Sequence, residues 1–137
     1  MRRLLALVLC LAAAPVLAEG AQAEGPLSGE EFGRIVTGRT LDWGDGGRVL
    51  GREQYLPEGG VRWQVPGGDC KPGQWYEAAT GLICFQYEDG DSPVCWHFYR
   101  REGGLAAQAE GDDSGRMWSE IGSTTEPLAC PGPMVGV

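Results

Sequence analysis

The chain has 137 residues, is 42% hydrophobic, and carries a net charge of −8 with a sequence pI of about 4.6. That length suits one domain, and that hydrophobic share argues against wholesale disorder. An acidic chain without a basic cluster is poorly suited to nucleic acid or an anionic membrane surface, and 23 glycines with 9 prolines leave little room for long helices.

Met1-Arg2-Arg3 is a basic start, Leu4 to Ala14 is apolar, and Val16-Leu17-Ala18 follows Pro15 with small or apolar residues. This order predicts a secretory signal peptide over residues 1–18, cleaved after Ala18. The apolar run is too short for a membrane span, which needs roughly 20 residues. Cys10 follows Leu9 rather than a small residue, which argues against lipidation. Nothing further along is apolar for long enough to span, so no stable membrane insertion is expected. Loss of residues 1–18 removes Arg2, Arg3 and Cys10. The mature chain has 119 residues, a net charge of −10 and four cysteines. Its expected location is the periplasm or the medium.

Residues 19–27 are small and polar and read as a flexible lead-in. A single β domain is expected over 28–137. Ser28 with Glu31 forms a capping box, Phe32, Ile35 and Val36 recur at helical spacing, and Gly38 ends the turn. One short helix over about 29–37 is the only helix expected. Eight strands follow: Thr40–Trp43, Arg48–Tyr55, Val61–Val65, Gln74–Ala78, Leu82–Tyr87, Val94–Arg101, Leu105–Glu110 and Met117–Ile121. Gly-, Pro- and Asp-rich turns separate them, such as Gly44-Asp45-Gly46-Gly47 and Asp89-Gly90-Asp91. Strand starts recur without helix-length gaps, which predicts an all-β fold: a small antiparallel barrel or sandwich with one N-terminal helix. The tail from Glu126 holds Pro127, Pro131 and Pro133 and cannot be a regular strand.

Four cysteines in an exported chain imply two disulfides among three connectivities. The spacings include no Cys-x-x-Cys pair, which disfavours zinc. Setting Cys84 opposite Cys95 also pairs Ile83 with Trp96 and Phe85 with Val94, and leaves Glu88 to Asp91 as the loop. Ile83, Phe85, Val94, Trp96 and Phe98 then share one face, with Trp96 buried against Ile83. Leu82, Cys84, Gln86, Cys95, His97 and Tyr99 share the other. A slip of one residue would mix the two sets. Cys70 is then left to Cys130, which would hold the tail to the body.

Gly73-Gln74-Trp75-Tyr76, Leu82-Ile83-Cys84 and Cys95-Trp96-His97-Phe98-Tyr99-Arg100 resemble a family of small exported proteobacterial β-rich domains of unknown function. There a Gly-x-Trp strand precedes two cysteine-bearing strands, and an opening helix is followed by Gly-x-Thr, here Gly38-Arg39-Thr40. The resemblance covers roughly residues 28–105 and implies a small barrel-like domain without an assigned activity. Cys70 and Cys130 depart from that pattern.

Motifs for chemistry are sparse. His97, the only histidine, stands mid-strand between Trp96 and Phe98 with no neighbouring nucleophile motif. Asp112-Asp113-Ser114-Gly115 echoes a serine-protease nucleophile, but the chain is too short for a double barrel, and a polar turn explains it. Acidic turns recur at Asp42 with Asp45, Glu88 to Asp91 and Glu110 to Asp113, without calcium-loop spacing. Trp43, Trp63, Trp75, Trp96 and Trp118 sit in strand-like runs. They serve core packing for the most part, and stacking on a planar ligand for some. No metal and no cofactor is expected. The reading is a non-enzymatic binding or structural module for a protein, a cell-wall component or a small apolar ligand. His97, Tyr99 and Trp43 are its candidate ligand contacts. The alternative is a small hydrolase using His97 with a nearby carboxylate.

Overall fold

The structure, a computed structural model, describes residues 25–130. The expected signal peptide and cleavage site, the first part of the expected lead-in, and the last two prolines lie outside the described residues. The helix α1 spans Gly29–Val36. The Ser28 N–H donates to Glu31 Oε2 at 3.0 Å, and the Glu31 N–H donates to Ser28 Oγ at 3.3 Å. This closes the capping box that the sequence implies.

Eight strands follow: β1 Thr40–Asp45, β2 Arg48–Tyr55, β3 Gly60–Gln64, β4 Lys71–Ala79, β5 Leu82–Tyr87, β6 Val94–Arg101, β7 Gly104–Ala109 and β8 Trp118–Thr124. Each pairs antiparallel with the next, and β8 pairs antiparallel with β1, closing the sheet into an up-and-down barrel. Closure leaves no unpaired strand edge. Of the two expected arrangements, barrel and sandwich, the chain adopts the barrel. Strand β4 begins earlier than its sequence suggests, because Pro72 and Gly73 read as turn residues yet pair with Arg62 and Val61.

The helix closes one end of the barrel. Phe32 and Val36 are fully buried. The Phe32 ring lies 5.1 Å from Trp75, 5.7 Å from Tyr55 and 4.4 Å from Phe98, centroid to centroid. The contacts with Trp75 and Tyr55 are edge-on and that with Phe98 is tilted, and such aromatic contacts add to the area they bury. Leu27 corrects the expected lead-in. It is 4% exposed, and its N–H donates to the Phe98 carbonyl at 2.7 Å. Polar neighbours hid an apolar residue that belongs to the core.

In the β5–β6 hairpin Ile83 pairs with Trp96, Cys84 with Cys95 and Phe85 with Val94. The disulfides join Cys84 to Cys95 and Cys70 to Cys130, across sequence separations of 11 and 60. Bonds of this kind belong to an oxidising compartment. The tail climbs the outside of the barrel. The Thr40 hydroxyl donates to the Glu126 carbonyl at 2.8 Å, and the Leu128 N–H donates to Gln54 Oε1 at 3.3 Å. Leu128 is buried, and Cys130 fastens the tail beside the start of β4. Among the described residues no helix is long and apolar enough to cross a membrane.

Candidate functional site

Antiparallel order places α1 at the end where β1 begins, so the turns after β1, β3, β5 and β7 surround the opposite, open end. Strand alternation then selects the side chains that face the lumen. From β1 comes Trp43, from β2 Glu53 and Tyr55, from β3 Trp63, from β5 Phe85 and Tyr87, from β6 Trp96 and Phe98, and from β8 Trp118. The lower lumen is filled by Phe32 and its neighbours. The upper lumen is not filled. It is a cavity of about 390 Å³ with a mouth at the open end. Small wall residues make this room. Ala107 is the β7 contribution, and at Gly51 on β2 an added Cβ would stand 2.2 Å from the Trp63 ring. Small-molecule sites are commonly roughly 300–1,000 Å³ and mostly apolar.

Three indoles form the upper wall. The Trp96 and Trp118 rings are 4.7 Å apart and tilted, and the Trp63 and Trp118 rings are 6.2 Å apart and nearly parallel. Trp43 lies deeper, 3% exposed, and its Nε1–H donates to the Tyr55 hydroxyl at 3.2 Å. One carboxylate stands in this aromatic wall. Glu53 is 4% exposed, and the Tyr87 hydroxyl lies 2.8 and 3.0 Å from its two oxygens. Burial penalises the charged form and outweighs the Tyr87 hydrogen bond, raising the Glu53 pKa to about 8. Burial also raises the hydroxyl pKa of Tyr55 and of Tyr87, with the nearby Glu53 adding to both shifts. At the mouth, Lys71 Nζ is 2.6 Å from Asp89 Oδ2.

Of the three candidate ligand contacts, Trp43 faces the cavity and the other two do not. His97 and Tyr99 alternate with Trp96 and Phe98 and point away from the lumen. The His97 Nδ1 lies 2.8 Å from the Gly81 carbonyl, a backbone partner and not a catalytic one. The Tyr99 ring carries the Arg101 guanidinium 5.0 Å from its centroid. The hydrolase alternative needs a nucleophile or carboxylate beside His97. Among the described residues, the hydrogen bond of its ring goes to that carbonyl. Cys84 and Cys95 lie on the same outer side.

Asp112-Asp113-Ser114-Gly115 is a polar turn: the Ser114 N–H donates to Asp112 Oδ1 at 2.9 Å. The Ser114 hydroxyl and N–H hold the Asp112 carboxyl below its ordinary range. The acidic turns find cations of the chain itself, Asp45 with Arg116, Asp42 with Arg52 and Asp89 with Lys71. Among the described residues no three His, Cys, Asp or Glu side chains are grouped to hold a metal ion.

Trp96 corrects a sequence expectation. It stands opposite Ile83, but it is half-buried rather than buried, because the lumen above it is open. Four of the five tryptophans line the cavity, and Trp75 packs on the helix at the closed end. Glu53 and Tyr87 also line the cavity, and no local sequence motif marks them. The available signal was the β2–β3 pairing, which sets Glu53 opposite Trp63 and Tyr55 opposite Val61. Val61 and Trp63 already read as inward by alternation, so the pairing would have turned Glu53 inward too. No family model, curated protein or solved structure matches this chain.

Proposed function

We propose that this chain is an exported, non-enzymatic binding module that holds a small, largely apolar ligand in the lumen of its barrel. One observation carries the reading: a cavity of about 390 Å³, open at one end and walled by four tryptophans, in a barrel closed at the other end by a helix. Apolar side chains facing an unfilled lumen lose dispersion contacts that a ligand restores. A rigid, disulfide-bonded barrel also spends little ordering entropy on binding. Export to the periplasm or the medium is supported by the basic-apolar-small leader and by the two disulfides.

The neutral dye N-phenyl-1-naphthylamine tests the reading, since it fluoresces in apolar surroundings and absorbs where tryptophan emits. Titration should raise dye emission and quench tryptophan emission with one-to-one saturation. Replacing Trp63 and Trp118 with Ala should weaken binding at least tenfold, about 1.4 kcal/mol. Dye binding unchanged by those replacements would place the site elsewhere and defeat the reading.

A further inference from the structure

We infer that the lumen ligand is an organic cation, an ammonium group on an apolar or aromatic body, received by the Glu53 carboxylate within the tryptophan wall. This rests on the lumen reading above and names its ligand class.

The first observation is an unbalanced acid. Glu53 is 4% exposed and faces the cavity, and its hydrogen-bond partner is the single hydroxyl of Tyr87. A carboxylate offers about four acceptor positions, so most of them remain open. A buried charge is costly unless paired. The neighbouring cations are engaged elsewhere: Lys71 with Asp89 at the mouth, Arg39 with Glu120, and Arg52 with Asp42. The other ionisable groups near Glu53 are the hydroxyls of Tyr55 and Tyr87, neither of which supplies positive charge.

The second observation is the surface around that acid. Trp43, Trp63, Trp96 and Trp118 border the same cavity. Indole is the best aromatic face for a cation, and aromatic cages are the recurrent receptors for alkylated ammonium groups.

The third is the charge at the entrance. The strand ends and turns of the open end, residues 45–48, 65–71, 88–93 and 110–117, carry eight Asp or Glu against three Lys or Arg. The recurring acidic turns of the sequence therefore gather at one end of the barrel, around the mouth. A negative rim over a low-dielectric cavity draws cations in and turns anions away. A neutral ligand accepting a hydrogen bond from protonated Glu53 would use the acid but would leave the rim unexplained.

The test sets benzyltrimethylammonium against its uncharged carbon isostere, neopentylbenzene, each competing with N-phenyl-1-naphthylamine in the full mature protein. The ammonium compound should compete at least tenfold more tightly. Its charge does not change with pH, so any pH dependence belongs to the protein. The Glu53 pKa of about 8 makes affinity rise about tenfold per pH unit from pH 6 toward 8 and then level off. In Glu53→Gln the pH dependence should vanish and the preference should shrink to what the indoles and the acidic rim supply, while the dye still binds. Tyr87→Phe should keep the preference for the cation. If the Glu53→Gln protein does not fold, the wild-type preference and pH profile decide alone. Equal competition by the two compounds with a flat pH profile overturns the cation while leaving the lumen site standing. Failure of the dye itself to bind overturns the lumen reading.

Discussion

Glu53 should make the empty barrel less stable as pH rises. Its folded pKa is about 8 against an ordinary 4.5, so between those values the folded state holds a proton that the unfolded chain has released. Stability then falls with rising pH, by about 1.4 kcal/mol per unit in the middle of that window. Between pH 5.5 and 8 the loss attributable to Glu53 is about 3 kcal/mol, a large share of a small domain's total. Replacing Glu53 with Gln keeps an acceptor for the Tyr87 hydroxyl and removes the titration. Urea unfolding of both proteins, disulfides intact, at several pH values is the assay. The gap between the two should widen by about 3 kcal/mol from pH 5.5 to pH 8, in favour of the Glu53→Gln protein. The carboxyls held low by hydrogen bonds, Glu31, Asp89 and Asp112, lose their contribution only as pH falls below about 4.5. They therefore do not enter this window. Parallel stability curves for the two proteins would show that Glu53 is charged in the folded barrel, and the reasoning from burial would fail.

Phe32→Ala should cost about 3–5 kcal/mol in denaturant titration, because Phe32 is the fully buried plug of the closed end. Trp96→Ala should cost clearly less, since its ring borders empty space; equal losses would mean that the upper lumen is filled. Gly51→Ala should push the Trp63 ring into the cavity, lowering dye affinity, with a stability cost of about 1–3 kcal/mol. Removing the Cys70–Cys130 bond should destabilise by about 4 kcal/mol against about 3 for Cys84–Cys95, in keeping with loops of 60 and 11 residues. It should also make the tail after Glu126 cleavable by protease, which gel analysis would show.

Much of the fold is legible from local signals. Arg48–Tyr55, Leu82–Tyr87 and Val94–Arg101 have the same limits in sequence and structure, because turn residues bound each and alternation runs through them. The β5–β6 register follows from the same alternation, since one slip would send Ile83 and Phe85 outward. The helix is announced by Ser28, Glu31 and the Phe32–Val36 spacing, but where it packs is not. That depends on closure between β1 and β8, a pairing between residues some 80 positions apart that no local pattern records.

The site was harder to read for the same reason. Alternation marks Trp63 and Trp96 as inward, but whether inward means packed or cavity-lining depends on what the facing strands supply, here Gly51 and Ala107. Glu53 looks like an ordinary charged strand residue beside Arg52 and Gln54, and only pairing with Trp63 reveals its side. His97 is the lone histidine, yet its strand position turns it outward to the Gly81 carbonyl. The acidic turns look like solvated loops until the topology collects them around one opening.

The most direct test of the lumen as the binding site is to follow the five tryptophan indole N–H signals by two-dimensional nitrogen–proton NMR during dye titration. Trp43, Trp63, Trp96 and Trp118 line the cavity, whereas Trp75 packs on the helix at the closed end and serves as an internal reference. Saturating dye should shift the first four signals together, with one common dissociation constant, and leave Trp75 close to its starting position. A Trp75 shift as large as the others, or four unmoved signals while the dye binds, would contradict a ligand site in the barrel lumen.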